Sequence, residues 1–253
     1  MGIWHRLRYR YYRFRLGRKN VPVDIQNYFR AFERRDLQRT IAETEFVVFD
    51  TETTGLHVKK GDRVVSISAV RLKQGRIDLS DSFHEMVNPD RGIPSSAAVV
   101  HEILPRMLDG KPTIDEILPK FIGYIGTAVM VAHHAWLDMS FLNQEMVRLY
   151  GFPIQNVVLD TALFDQALVQ RKTPGVLRKA RETDTTLGAI AERYRVYIED
   201  RHSSFGDALG TAQIFQNMLK HTGESGIVYL EDLLKMVNTP PGSELDQQGI
   251  PSM

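Results

Sequence analysis

Two carboxylates, Asp50 and Glu52, follow a short apolar run at residues 46–49 and are separated by one residue. The apolar run is typical of a buried strand, and residues two apart on a strand point to the same face. Two like charges on one face repel each other, and a divalent cation that both carboxylates coordinate removes this conflict. The pattern is therefore compatible with a metal site, but taken alone it favours the structural alternative, a solvated strand end followed by a turn at residues 53–55.

Two further carboxylates stand near predicted helix starts. Asp138 falls in the first turn of a helix predicted from about Trp136, where the helix macrodipole favours an anion without any catalytic role. Asp207 lies three residues after Ser204, a spacing that fits a capping box. Capping does not explain His202, five residues before Asp207, which we expect on a loop at the mouth of the site. Each of these two acids alone thus has a structural explanation, whereas capping offers none for His202.

The available ligands restrict the kind of metal. The chain of 253 residues contains no cysteine, so a metal must be held by carboxylates, histidines and water. Such a donor set favours Mg²⁺ or Mn²⁺ over structural zinc. His133 and His134 are candidate ligands, although histidines beside a buried strand are more often hydrogen-bonded structural residues.

An α/β fold has to position these side chains. Apolar runs and turn signals predict strands at residues 46–49, 64–72, 129–132 and 157–159, and another that ends near Val87. Helices are predicted with interruptions in residues 94–124, and at about 136–150, 161–170, 185–195 and 205–219. This alternation indicates a mixed sheet flanked by helices, whose first three strands form an antiparallel meander.

The overall composition is that of an ordinary globular protein, with 25% charged residues and a net charge of +1. The sequence contains no run of 18 apolar residues, so no membrane span is predicted. The start of the chain lacks the apolar core of a secretory signal. We therefore expect a cytoplasmic protein. Residues 1–23 carry no acid and interleave basic with aromatic side chains, which suits phosphate backbones and stacked bases, an anionic membrane surface, or no specific contact at all.

The motifs in this order resemble those of the DEDDh 3′–5′ exonucleases, and in particular the proofreading (epsilon) subunit of bacterial DNA polymerase III. The resemblance covers residues 45–220 and includes the segment from Phe49 to Leu56, which reads Phe-Asp-Thr-Glu-Thr-Thr-Gly-Leu. It also includes Val-His-Glu-Ile at residues 100–103, ahead of Lys-Pro-Thr at residues 111–113. The combination is specific, whereas each piece alone is not.

The resemblance implies a ribonuclease-H-like fold, with a five-stranded mixed sheet flanked by helices. It also implies two divalent cations, Mg²⁺ or Mn²⁺, and His202 as the general base. The implied metal ligands, which are also catalytic, are Asp50, Glu52, Asp138 and Asp207. The residues implied to contact the terminal nucleotide are Thr53, Gly55, Leu56 and His134.

Two positions depart from the family pattern beside the third acid. His134 replaces the usual asparagine and Leu137 replaces the usual phenylalanine. Neither change removes a metal ligand, so we expect activity to survive. We expect the binding of the substrate strand near Asp138 to be altered.

The resemblance divides the chain into three parts. We expect a basic, aromatic-rich and partly helical N-terminal extension at residues 1–43, with a helix over residues 24–41. An exonuclease domain is expected at residues 44–222, and a C-terminal helix with a flexible tail at residues 223–253.

The expected substrate is the 3′ end of a nucleic acid, single-stranded DNA in the first place, with a DNA polymerase as a candidate partner. The expected products are nucleoside 5′-monophosphates. An exonuclease that trims RNA and a non-catalytic nucleic-acid-binding scaffold are the alternatives, and the oligomeric state is left open.

Overall fold

The computed structural model describes residues 21–32, 38–172 and 184–238. Most of the basic N-terminal arm and the C-terminal tail from residue 239 lie outside the described residues. Within the described ranges, no helix combines the length and the apolar character needed to cross a membrane.

The sheet contains five strands in the order β3-β2-β1-β4-β5. The strands are β1 (Phe46–Thr53), β2 (Val64–Lys73), β3 (Arg76–Met86), β4 (Val129–Ala132) and β5 (Val158–Asp160). The first three strands pair antiparallel, and β1, β4 and β5 pair parallel. The five-stranded mixed sheet and its antiparallel meander are therefore confirmed.

Helices cover both faces of this sheet. In chain order they are α1 (Val23–Ala31), α2 (Ser95–His101), α3 (Pro105–Leu108), α4 (Ile114–Ile125), α5 (Trp136–Tyr150), α6 (Thr161–Lys172), α7 (Leu187–Arg193), α8 (Ser204–Glu224) and α9 (Leu230–Asn238). One core joins α1, α4 and α5 to the sheet, and a second core joins α6, α7, α8 and α9 to its other face.

Strand β1 runs through the middle of the sheet and is buried on both faces. Val47 and Phe49 belong to the core under α4 and α5, whereas Phe46 and Val48 belong to the core under α8. This two-sided burial explains the continuous apolar run in the sequence. The alternation continues past the apolar run, so Asp50 and Glu52 face the α8 side and Thr51 faces the α5 side.

The first helix is shorter than the sequence predicts. The prediction extended a helix to residue 41, but α1 ends at Ala31 and residues 38–41 form bends, a bridge and a turn. The reason is tertiary pairing, because the Ile41 N–H donates to the Val228 carbonyl at 2.8 Å and the Leu230 N–H donates to the Arg39 carbonyl at 3.1 Å. The extended segment thereby joins the chain that leads into α9.

Candidate active site

The first two acids stand at the exit of β1. The strand changes from buried to partly exposed at Asp50, and Glu52 follows on the same face. Antiparallel pairing places Asp50 opposite Ser68 and Glu52 opposite Ser66 of β2. The last half of β1 therefore delivers both carboxylates to one end of the sheet.

Asp138 reaches the same strand from the opposite face. It lies in the first turn of α5, is 5% exposed, and its Oδ1 accepts hydrogen bonds from the Thr51 N–H at 2.9 Å and the Thr51 hydroxyl at 2.6 Å. The predicted position at a helix start is confirmed. The carboxylate is held by the strand residue that lies between the two strand acids, so the third acid is tied directly to the first pair.

The turn before α5 is shaped by Asp160, the last residue of β5. Its two carboxylate oxygens accept hydrogen bonds from the backbone N–H groups of His134 at 3.2 Å and Ala135 at 3.0 Å. The backbone of His134 is left-handed, with a φ of 52°. The ring Nδ1 of His133 pairs with the Thr161 hydroxyl at 3.0 Å, and burial lowers the pKa of His133 to about 4. His133 thus matches the structural alternative of a hydrogen-bonded histidine.

Asp207 lies in the first turn of α8, but the predicted capping arrangement is wrong. The N-cap is Ser203, whose hydroxyl accepts a hydrogen bond from the Gly206 N–H at 3.0 Å. The Ser204 hydroxyl instead lies 2.7 Å from those of Ser66 and Ser68 on β2. The Ser204 side chain is therefore hydrogen-bonded to β2, which holds the start of α8 against the sheet. Asp207 is not paired with the N-cap serine in this arrangement, so the predicted capping box does not account for its position.

His202 is held on a tight loop over the start of α8. Its φ is 66°, in the left-handed region, and its N–H points to Asp207 Oδ2 at 3.4 Å. A Cβ at Gly206 would lie 1.9 Å from the Asp200 carbonyl oxygen, so only glycine allows the loop to fold this closely onto the helix. The His202 side chain is exposed, as predicted for a residue at the mouth of the site.

The loop after β1 carries the residues assigned to the terminal nucleotide. The Thr53 hydroxyl donates to the Gly55 carbonyl at 2.7 Å, and the Asp62 carboxylate accepts from the His57 N–H at 2.9 Å. A Cβ at Gly55 would lie 2.5 Å from Asp62 Oδ2, so a larger residue would displace the Asp62 carboxylate that closes the loop. Leu56 is 66% exposed beside it. The loop thus presents an apolar side chain directly after the two strand acids.

The Val-His-Glu-Ile segment ends α2 beside the same loop. His101 is 5% exposed, and its Nδ1 accepts a hydrogen bond from the Ile103 N–H at 3.0 Å. Burial lowers the pKa of His101, and the nearby backbone of Thr53 opposes that shift. Val100 remains 52% exposed. The end of α2 therefore carries an exposed apolar side chain next to the buried His101.

The four acids lie close enough for their charges to affect one another's pKa values. Burial raises the pKa of Asp50 well above its usual value, and the charges of Asp138, Glu52 and Asp207 raise it further. Burial, followed by the charges of Asp207 and Asp138, raises the pKa of Glu52 to about 8. Burial also raises the pKa values of Asp138 and Asp207. The structure thus brings together all four acids that the sequence singled out.

The chemistry of this donor set fits a hard divalent cation, because the four carboxylates repel each other and such a cation would favour their charged forms. The buried Asp207 Oδ1 has no hydrogen-bond partner in the described part of the chain, which also fits an oxygen available to a cation. The side chains do not form a ready cage. Across residues 21–32, 38–172 and 184–238, no three His, Asp or Glu side chains are placed to hold a metal ion.

The raised pKa of Glu52 has a consequence for stability without metal. The folded protein holds a proton on Glu52 up to about pH 8, whereas the unfolded chain loses it near the ordinary value of 4.5. The folded state binds more protons in this window, so the free energy of unfolding falls as the pH rises through it. In EDTA, we expect Glu52→Gln to be more stable than the wild type at pH 8, on the order of 1–3 kcal/mol after discounting for solvent screening, and nearly equal at pH 4.5.

Thermal or urea unfolding at several pH values measures this difference. Glu192→Gln, at an exposed position on α7, is the matched control and should leave the pH dependence of the wild type unchanged. Parallel stability curves for the wild type and Glu52→Gln across the window would contradict the expectation.

Four supporting residues were missed from the sequence: Thr51, Asp62, Asp160 and Arg201. Asp160 carried a usable signal, since an acid at the carboxyl end of a parallel strand lies at the same sheet edge as Asp50. Arg201 directly precedes His202, and its guanidinium lies 3.5 Å from Asp207. Thr51 and Asp62 act through contacts that no local spacing indicates.

Residues 47–215 match the family model described as Exonuclease, RNase T. The chain is 34% identical over 236 residues to a DNA polymerase III PolC-type protein of Clostridium perfringens, covering 93% of this chain and 14% of that protein. It is 36% identical over 203 residues to a DNA polymerase III subunit epsilon-like protein of Rhodobacter capsulatus, covering 79% of this chain and 27% of that protein. The chain thus spans only a small part of the length of these relatives.

The fold also matches a solved nuclease. The nuclease domain of 3′hExo, a DEDDh family member bound to rAMP, aligns with a TM-score of 0.58 and 16% identity, over 71% of this chain and 94% of that domain. At this identity the likeness establishes the fold. With the family match over residues 47–215, the chain belongs to this exonuclease family and has the ribonuclease-H-like fold of the DEDDh exonucleases.

Proposed function

We propose that this protein is a metal-dependent 3′–5′ exonuclease that hydrolyses single-stranded DNA from its 3′ end and releases nucleoside 5′-monophosphates. The observation that carries the proposal is the convergence of four carboxylates from β1, α5 and α8 next to the exposed His202. Each acid has a raised pKa, which is unfavourable for folding and has no structural benefit by itself.

The proposed chemistry assigns separate tasks to the chain's own residues. Asp50, Glu52, Asp138 and Asp207 would hold divalent cations, which when bound stabilise developing charge on the phosphate and lower the pKa of water. His202 would accept the proton of the attacking water, because it stands exposed at the loop whose backbone is tied to Asp207. Thr53, Gly55 and Leu56 would place the terminal nucleotide.

A single-stranded or frayed end is the physical expectation for the substrate. The terminal nucleotide has to leave its stack before its phosphodiester can reach buried carboxylates. The preference for DNA is supported by the names of the two relatives above, both of which are DNA polymerase III proteins. A DNA polymerase is proposed as a partner on the same grounds. The neighbour bound to rAMP is the observation that favours RNA as the second candidate substrate.

The test uses matched DNA and RNA oligomers labelled at the 5′ end, incubated with Mn²⁺ or Mg²⁺ and with EDTA as a control. We expect a ladder of DNA products shortened from the 3′ end, with nucleoside 5′-monophosphates identified by chromatography. If the first product is a labelled mononucleotide, the enzyme cleaves from the 5′ end, and the proposed 3′–5′ polarity is wrong. Shortening of the RNA oligomer alone would indicate that RNA, and not DNA, is the substrate. No cleavage of either oligomer would favour a non-catalytic scaffold.

Leu56 provides a test of the proposed nucleotide contact. Its side chain is 66% exposed, and burying a leucine against a base removes apolar surface from water. We expect Leu56→Ala to raise KM about tenfold with kcat nearly unchanged, since it removes binding without touching the acids. Steady-state kinetics on a short oligomer measure both constants.

Leu79 on β3 is the matched control for Leu56. It is 55% exposed and lies in the meander, away from the loop after β1. Leu79→Ala should leave both kinetic constants unchanged. A lowered kcat without a change in KM for Leu56→Ala would contradict a role in binding.

A further inference from the structure

An arginine lies inside the acid cluster. The Nη1 atom of Arg201 is 3.5 Å from Asp207 Oδ1, and both atoms are buried without a hydrogen bond in the described part of the chain. Burial raises the pKa values of Asp50, Glu52 and Asp207, and the positive charge of Arg201 opposes the rise at each of them. One guanidinium thus offsets charge on three of the four acids.

Backbone contacts close the loop that carries Arg201, and its side chain is partly exposed. The loop is closed by the contact of the Ser203 N–H with the Asp200 carbonyl at 3.4 Å and by the close approach of that carbonyl to Gly206. The next residue, His202, is held at a φ of 66°. The Arg201 side chain is nonetheless 34% exposed, so solvent lies within reach of its charged end. The contact with Asp207 is therefore made by the side chain and is separate from the backbone contacts that close the loop.

A cation bound at Asp207 would meet this guanidinium at the same carboxylate. Asp207 is one of the acids proposed above to hold a metal, and the Arg201 contact uses the Asp207 oxygen that has no hydrogen-bond partner among the described residues. Two positive charges at one oxygen repel each other strongly at partly buried positions.

We infer that Arg201 is a built-in counter-ion that occupies, in the metal-free enzyme, a position that a divalent cation takes on binding, so the Arg201–Asp207 contact and metal loading exclude each other. The inference rests on the proposed function, because it takes the four acids as the metal site. Arg201 is a positioning residue in this scheme. It keeps the carboxylates together without metal and weakens the affinity for the cation.

The test measures Mn²⁺ binding to the full chain by calorimetry without nucleic acid. Arg201→Met removes the charge and keeps most of the side-chain length, and Arg201→Lys keeps the charge. We expect the methionine variant to bind Mn²⁺ about tenfold more tightly than the wild type, the effect of one partly screened unit charge a few ångströms away. The lysine variant should remain near the wild-type affinity.

Arg76, exposed at the start of β3, is the matched control, and Arg76→Met should bind Mn²⁺ as the wild type does. Arg201→Gln is a second neutral variant. It provides the same test if the methionine variant does not fold. As a second measurement, the neutral variants should show a larger rise in Tm on adding Mn²⁺ than the wild type shows.

Equal or weaker Mn²⁺ binding by the neutral variants, with a wild type that binds Mn²⁺, would overturn the role of Arg201 and leave the proposed function intact. A wild type that binds no Mn²⁺ would remove the metal site itself, and the inference with it. The two failures are therefore distinguished by the wild-type titration.

Discussion

Replacing Asp50 by asparagine is expected to reduce the rate of 3′-end hydrolysis by about 10³-fold or more, which corresponds to about 4 kcal/mol in the barrier. Asp50 is central to the cluster, since the charges of Asp138, Glu52 and Asp207 all act on it. Asparagine keeps the shape of the side chain and removes the charge that a cation needs. Rates on the labelled oligomer under saturating Mn²⁺ measure the loss.

The same variant should fold at least as well as the wild type. In EDTA we expect an equal or higher Tm for Asp50→Asn, because the wild-type carboxyl is held in a place that raises its pKa well above the ordinary value. Asp232→Asn is the matched control, since Asp232 is exposed on α9 and its ion pair with the exposed Lys235, at 3.7 Å, contributes little to stability. An Asp50→Asn protein that retains more than a tenth of the wild-type rate would refute the metal-site assignment.

Replacing His202 by glutamine is expected to lower kcat by about 10²–10⁴-fold, the usual contribution of a general base. The affinity for Mn²⁺ should remain that of the wild type, because the contact of this residue with Asp207 is made by its backbone N–H and survives the substitution. Turnover and calorimetry on the same preparation separate the two effects.

His221, near the other end of α8, is the matched control for this substitution. His221→Gln should leave kcat and its pH profile unchanged. If His202→Gln lost Mn²⁺ binding together with activity, His202 would be acting on the metal site, and the role as general base would be wrong.

The sequence by itself determined the sheet and the identity of the acids. The run at residues 46–49 is apolar at every position because β1 is buried on both faces, and that run identified the central strand. The spacing of Asp50 and Glu52 placed them on one face, since side chains alternate along any strand. Helix α5 was predicted with its observed bounds, which put Asp138 in its first turn.

The tertiary structure decided how those elements are joined. Ser203 and Ser204 both satisfy the local preference for a helix N-cap, and the choice was made by Ser66 and Ser68, which lie on β2 more than 130 residues earlier and bind the Ser204 hydroxyl. The predicted end of α1 was wrong for the same kind of reason, because residues 38–41 pair with the segment before α9.

The same division applies to the candidate site. The types and order of the acids are local properties that the sequence contains in full. The pairing of Asp138 with Thr51 and the approach of Arg201 to Asp207 depend on where whole helices settle against the sheet. Such contacts are fixed by packing between distant segments, which propensity and spacing along the chain do not specify.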